Sequence, residues 1–195
     1  MIPGNFPLRK IGIYGGTFDP VHHGHLILAR DACETLALEK MIFVPAAASP
    51  HKIDGAAVAA QIRLEMVRKA IEDEARFAVD DCEVRRGPPS FTIDTVEIIK
   101  QHEADAQLFY CIGEDNVSSL TSWHRFTELQ KMVQFVVLDR RDFKSKTAYP
   151  VIRRHIDISA TEIRKRVAEG RSIRYLVPRA VEEIICREQL YREPK

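Results

Sequence analysis

The sequence predicts an α/β fold: a doubly wound, mostly parallel sheet flanked by helices, in a single domain over residues 1–195. Three observations point there. Short apolar runs alternate with stretches of helical periodicity along the chain, a length of 195 residues suits one buried core, and glycines follow apolar runs at the places where such sheets bind ligands.

In order, Lys10 to Tyr14 is a short buried strand that runs into Gly15-Gly16, after which Leu26, Ala29, Cys33, Leu36 and Ala37 recur at helical spacing. Met41 to Val44 is the next strand, stopped by Pro45, and a polar, Ala-rich loop through Ser49-Pro50-His51-Lys52 leads into a helix from about Val58 to Glu72. Phe77 to Val84 has the pattern of a third strand, Gly87-Pro88-Pro89-Ser90 breaks the chain, and Thr92 to His102 is periodic enough for a helix. Leu108 to Ile112 is a compact strand ending at Gly113. Helical stretches around Asn116 to Leu120 and Phe126 to Met132 precede a fifth strand, Gln134 to Leu138, and a sixth, Arg154 to Ile158. Two helices follow, one from near Ser159 to Gly170 and one from near Pro178, whose fixed φ suits a first helical turn. The arrangement is Rossmann-like, and Gly15, Gly16 and Gly113 fall at the carboxyl ends of strands.

Composition narrows the class. A hydrophobic content of 45% with 29% charged residues is that of an ordinary globular protein. The apolar runs are too short to cross a bilayer, and Met1 to Lys10 lacks a signal peptide's apolar middle, so a cytoplasmic address with no membrane partner is expected. Cys33, Cys82, Cys111 and Cys186 form no C-x-x-C pair and lie in segments that read as packed, so reduced core thiols are expected in preference to a disulfide or zinc site. The net charge is only +1, but Asp139 to Arg174 holds eleven Lys or Arg against five Asp or Glu. That local excess suits a phosphate-rich small ligand. A solvated basic face is the plainer alternative, and nucleic-acid binding lacks an aromatic platform or arginine-rich tract. No nucleic-acid partner is therefore expected, while a homo-oligomer is compatible with the sequence.

The chemistry centres on Gly15 to His25. Gly15-Gly16 between a strand and a helix allows a tight turn that leaves amides to meet phosphate oxygens, with Thr17 and Phe18 continuing the loop. Neither G-x-G-x-x-G nor G-x-x-x-x-G-K-[ST] is present, so a dinucleotide fingerprint and a P-loop are both unsupported. His22 and His25, three residues apart at a helix entrance with Gly24 between them, can hydrogen-bond neighbouring phosphate oxygens. A zinc site competes with this reading but lacks further ligands at suitable spacing, and a turn capped by histidines is the structural alternative.

Gly15-Gly16-Thr17-Phe18-Asp19-Pro20-Val21-His22-His23-Gly24-His25 resembles the G-x-F-x-P-x-H-x-G-H signature of the nucleotidyltransferase superfamily, and Ile158-Ser159-Ala160-Thr161-Glu162-Ile163-Arg164 resembles its second signature, I-S-S-T-x-I-R. Ser159 to Thr161 can cap a helix whose amides face a triphosphate while Arg164 returns one turn later. Ala160 stands where a second Ser is usual, which removes a hydroxyl and keeps the backbone amides.

Between the signatures, Pro89-Ser90-Phe91-Thr92-Ile93-Asp94-Thr95 and Ile112-Gly113-Glu114-Asp115-Asn116 with Trp123 resemble segments of the bacterial nicotinate-nucleotide adenylyltransferases. Phe91 replaces a usual Tyr and Glu114 a usual Ala. The resemblance implies adenylyl transfer from ATP, with Mg²⁺, to nicotinate mononucleotide. Under it His22, His25 and Arg164 are catalytic, neutralising charge at the α-phosphorus. Gly15, Gly16, Thr17, Phe18, Lys52, Gly113, Asp115, Ser159 and Thr161 bind ATP or its phosphates, Thr92 and Trp123 bind the mononucleotide, and no protein side chain holds the metal. On the residues alone, Trp123 is equally a core anchor, Asp115 a helix cap and Lys52 a solvated loop cation. Other acceptors such as nicotinamide mononucleotide, a nucleotide sensor without catalysis, and an RNA-binding module remain as alternatives.

Overall fold

A computed structural model describes residues 8–47, 58–140 and 147–192. Its elements are β1 (Arg9–Gly16), α1 (His23–Thr35), β2 (Lys40–Pro45), α2 (Ala60–Ile71), β3 (Phe77–Val79), α3 (Cys82–Arg86), α4 (Thr92–His102) and β4 (Ala106–Gly113). A 3-10 helix over Glu114–Ser122 then leads to α5 (Phe126–Met132), β5 (Gln134–Asp139), β6 (Val151–Arg153), α6 (Ala160–Ala168) and α7 (Arg179–Arg187). The six strands form one sheet in the order β3-β2-β1-β4-β5-β6, and every pair is parallel.

Side-chain alternation divides the sheet between two apolar layers. Ile11, Ile13, Ile42, Val44, Leu108 and Tyr110 point to one face, where Ile93, Val96 and Ile99 of α4 and Leu129 of α5 cover them. Tyr14, Met41, Phe43, Phe109, Cys111, Val136 and Leu138 point to the other, under Leu28, Ala29 and Ala32 of α1, Val67 of α2, Ile163 of α6 and Ile184 of α7. Strands buried on both faces need nearly continuous apolar sequence, and this is why the sequence marks them so clearly. β1 pairs β2 on one side and β4 on the other, so chain order reverses there and a crevice opens at the carboxyl ends of β1 and β4.

Two strands differ from expectation. The third ends at Val79 instead of Val84, because Asp80 Oδ1 accepts the Cys82 N–H at 2.8 Å and turns the chain into α3. The sixth is Val151–Arg153 and not Arg154 to Ile158. Beyond Arg153 the Arg154 N–H still donates to the Asp139 carbonyl at 3.0 Å and the Ile156 N–H to the Arg140 carbonyl at 3.1 Å, while the Arg154 guanidinium pairs with Asp31 of α1 through bonds of 2.7 and 2.8 Å. Cys33, Cys82 and Cys111 are buried free thiols, as expected, but Cys186 is exposed. On α7 the buried stripe is Val181, Ile184 and Ile185, and Cys186 falls on the opposite face. No helix among the described residues is long and apolar enough to cross a membrane.

Candidate active site

The glycine loop leaves β1 at Gly16. Gly15 is required by close approach, since a Cβ there would overlap the Tyr110 hydroxyl. Phe18 adopts the left-handed region at φ 48° and is buried, its ring 5.5 Å from Tyr14 and 5.8 Å from Phe43. The Phe18 side chain thus anchors the loop in the core.

His22 is the N-cap of α1, with φ −147° and ψ 167°, and is 1% exposed. Its N–H donates to His25 Nδ1 at 3.2 Å, and the two rings stack with centroids 3.7 Å apart. A Cβ at position 24 would lie 3.0 Å from His22 Nδ1, so glycine admits this packing. Because Nδ1 of His25 is an acceptor, the neutral ring carries its proton on Nε2, which makes that atom a donor. His25 is half-buried and its ring is held edge-on by Phe18 at 5.1 Å.

Burial lowers the His22 pKa to about 3, with the charges of Arg140 and His23 acting in the same direction. His22 is therefore neutral at pH 7. A neutral buried imidazole can only hydrogen-bond. The linkage consequence has a definite sign. An unfolded histidine titrates near 6.5, so below that pH the unfolded chain binds the extra proton, and stability is lost as pH falls from 6.5 toward 3. Urea unfolding at pH 5 should show about 2 kcal/mol less stability from this group than at pH 7. The same experiment on His22→Gln should lose that much less; an unchanged acid sensitivity in the variant would assign it elsewhere.

The second signature arrives beside the first. Ser159 caps α6, its Oγ accepting the Glu162 N–H at 3.2 Å. One turn on, Arg164 Nη1 donates to the Asp19 carbonyl at 2.7 Å and Nη2 to Thr161 Oγ1 at 3.4 Å. Arg164 thereby ties the start of α6 to the chain at Asp19. Tyr191 adds a clasp from the C-terminal side, its hydroxyl donating to Asp19 Oδ1 at 2.6 Å.

On the other side of the loop lies a cleft of about 410 Å³, within the range of small-ligand sites. Gly15, Gly16 and Thr17 form one wall, Ser90, Phe91 and Thr92 the facing wall, and Gly113, Asp115 and Trp123 lie at the strand end and above it. Seven of the expected site residues thus share one cavity: Gly15, Gly16, Thr17, Thr92, Gly113, Asp115 and Trp123. His22, His25, Ser159, Thr161 and Arg164 do not line this cleft; Arg164 meets Asp19 and Thr161, His22 stacks on His25 at the start of α1, and Lys52 lies outside the described residues.

Trp123 both packs on the core and borders the cleft. Its ring packs edge-on against Tyr110 at 6.1 Å and Phe135 at 6.4 Å while it lines the cleft, and its buried Nε1 makes no hydrogen bond within the protein. Asp115 is exposed at the mouth of the cleft and accepts from Asn116 Nδ2 at 3.1 Å. Nothing in the structure explains Glu114, whose Oε2 is buried without a partner.

Sequence reasoning missed several residues. Glu83, 4% exposed, lines the cleft and accepts from Thr95 Oγ1 at 2.6 Å; burial raises its pKa. Its position read as the end of a strand, which hid it. Arg140, at the end of β5, donates to the Ile158 carbonyl at 3.0 Å, and the basic excess of the C-terminal third was the available signal. Arg63 is discussed below.

A doubly wound sheet with a glycine loop at its switch point is the architecture of the ligand-binding α/β proteins. The chain belongs to the cytidylyltransferase-like family, whose profile matches residues 13–166. It is 40% identical over 190 residues to a probable nicotinate-nucleotide adenylyltransferase of Lactiplantibacillus plantarum, covering 96% of this chain and 90% of that one. It is likewise 40% identical to one from Synechococcus sp. over the whole of both chains. The fold matches that of a Plasmodium falciparum nicotinic acid mononucleotide adenylyltransferase, solved as a complex with NaAD. The TM-score is 0.78 at 19% identity, over 94% of this chain and 97% of that one.

Proposed function

We infer that the protein transfers the adenylyl group of ATP to nicotinate mononucleotide, giving nicotinate adenine dinucleotide and pyrophosphate, a step of NAD biosynthesis. The observation that carries this reading is the position of the Gly15 to Thr17 loop. It borders the 410 Å³ cleft on one side and leads on the other to Asp19, where Arg164 and the start of α6 arrive. An acceptor in the cleft and a triphosphate beside Arg164 would meet at this loop.

The acceptor's 5′-phosphate is ionised at neutral pH and needs no base. One of its oxygens forms a new bond to the α-phosphorus as the bond to the bridging oxygen breaks, and the electron pair leaves on pyrophosphate. Positioning and charge stabilisation are what the protein supplies. The loop amides and the amides at the start of α6 hold the phosphates, the His25 Nε2–H donates to an oxygen on the α-phosphorus, and the Arg164 guanidinium offsets charge moving toward the leaving group. His22 fixes His25 through its backbone N–H and stacked ring. Mg²⁺ bound to ATP would supply charge neutralisation for the leaving pyrophosphate; among the described residues no cluster of three His, Cys, Asp or Glu could hold a metal ion.

For the acceptor, α4 begins at Thr92 on the cleft wall, and helix N-terminal amides favour a carboxylate. Trp123 offers the pyridine ring an aromatic neighbour. Amides that meet a carboxylate discriminate against a carboxamide, so kcat/KM on the acid should exceed that on nicotinamide mononucleotide by about tenfold or more. Equal values on the two mononucleotides would remove the assignment of the acid.

A further inference from the structure

Arg63, on α2, is 1% exposed and heads the fully buried side chains by size. Among the described residues it makes no ion pair. Its donors go instead to four main-chain carbonyls. Nε reaches Val58 O at 2.8 Å, Nη1 reaches Thr17 O at 2.6 Å, and Nη2 reaches Ala46 O at 2.7 Å and Ala47 O at 3.0 Å. Burying a charge costs several kcal/mol, and an apolar side chain would fill the space without that cost. The Thr17 carbonyl belongs to the glycine loop, those of Ala46 and Ala47 to the chain just after β2, and that of Val58 to the approach to α2; Thr17 and Ala46 both line the cleft.

Peptide planarity turns these four bonds into a statement about the site. In a trans peptide the C=O and N–H point in opposite directions. The Ala46–Ala47 peptide gives its carbonyl to Arg63, and its N–H accordingly points the other way, donating to Ser90 Oγ at 3.1 Å on the facing wall of the cleft. The Thr17–Phe18 peptide also gives its carbonyl to Arg63, so the Phe18 N–H is directed away from the guanidinium.

We propose that Arg63 is a positioning residue for adenylyl transfer: it sets the direction of the Thr17–Phe18 amide at the phosphate loop and, through the Ala46–Ala47 peptide and Ser90, the separation of the two cleft walls. This rests on the reading of the loop as the phosphate site. The guanidinium also places a fixed positive charge behind that loop. Both features need the planar, five-donor group, so lysine replaces it in part and glutamine less.

The test uses the full chain as Arg63→Lys and Arg63→Gln, each confirmed as folded at the assay temperature by its circular-dichroism melt. MgATP binding is followed by calorimetry, nicotinate mononucleotide binding by fluorescence of Trp123, the chain's one tryptophan, and turnover by pyrophosphate release. Arg63→Gln should weaken MgATP binding and lower kcat by about tenfold or more each, as expected for a lost charged hydrogen-bond set, with Arg63→Lys between it and wild type. Affinity for the mononucleotide should change less than that for MgATP. A folded Arg63→Gln protein with wild-type MgATP affinity overturns the proposal, as does a lower melting temperature with unchanged kcat. Should Arg63→Gln fail to fold, the same thresholds apply to Arg63→Lys at about threefold. Because MgATP binding is read without the acceptor, failure of wild-type turnover on nicotinate mononucleotide counts against the proposed function and leaves the Arg63 result independent of it.

Discussion

Replacing His25 by alanine should lower turnover by about 10²-fold or more, the effect of removing one preorganised donor from a site where charge develops. The His22 N–H fixes Nδ1 as an acceptor, so the proton sits on Nε2, and the stacked His22 ring with the Phe18 edge holds the imidazole in one orientation. A donor that is already oriented needs no reorganisation as the reaction proceeds, and its removal cannot be made good by water arriving in a random orientation. His25→Gln, which keeps an amide donor near the Nε2 position, should lose less. Steady-state kcat at saturating ATP and acceptor is the measurement. Wild-type turnover in His25→Ala would take the residue out of the mechanism.

Arg164→Ala should be of similar size and fall differently between the kinetic constants. The guanidinium spends Nη1 on Asp19 and Nη2 on Thr161, so one end of the fork aligns the phosphate loop with α6 while the charge remains near the site. Charge-assisted bonds to phosphate are worth about 1.5–3 kcal/mol each, so kcat/KM for ATP should fall by about 10²-fold. Arg164→Lys keeps the charge but cannot hold both partners in a planar fork, and should recover only part of the loss. A change confined to thermal stability, with kcat/KM intact, would reduce Arg164 to a structural tie.

The parts of this site that sequence made legible are those in which the chemistry is local. Gly15 to His25 and Ser159 to Arg164 are contiguous segments whose residue types and spacing already describe a turn, a cap and an anion site. Gly113 was legible as a glycine at a strand's carboxyl end, Thr92, Asp115 and Trp123 were named through resemblance, and the fold brings all four to one cleft. Arg63, Arg140 and Tyr191 were not legible, because each acts on a partner distant in the chain. The Tyr191–Asp19 bond spans 172 positions and the Arg63–Thr17 bond 46, and no periodicity encodes them. The neutrality of His22 follows from its burial, which the H-x-G-H spacing does not state. The third strand is shorter than its apolar pattern because the Asp80 side chain turns the chain at Cys82, an interaction that the pattern does not encode.

The central claim is that the loop from Gly15 to Thr17 joins an acceptor cleft to a triphosphate site. It is tested most directly by incubating the purified protein with ATP, Mg²⁺ and nicotinate mononucleotide and identifying the product by mass. Nicotinate adenine dinucleotide, formed with an equal amount of pyrophosphate, is the predicted result. Unchanged mononucleotide, or pyrophosphate release without a dinucleotide product, would contradict it.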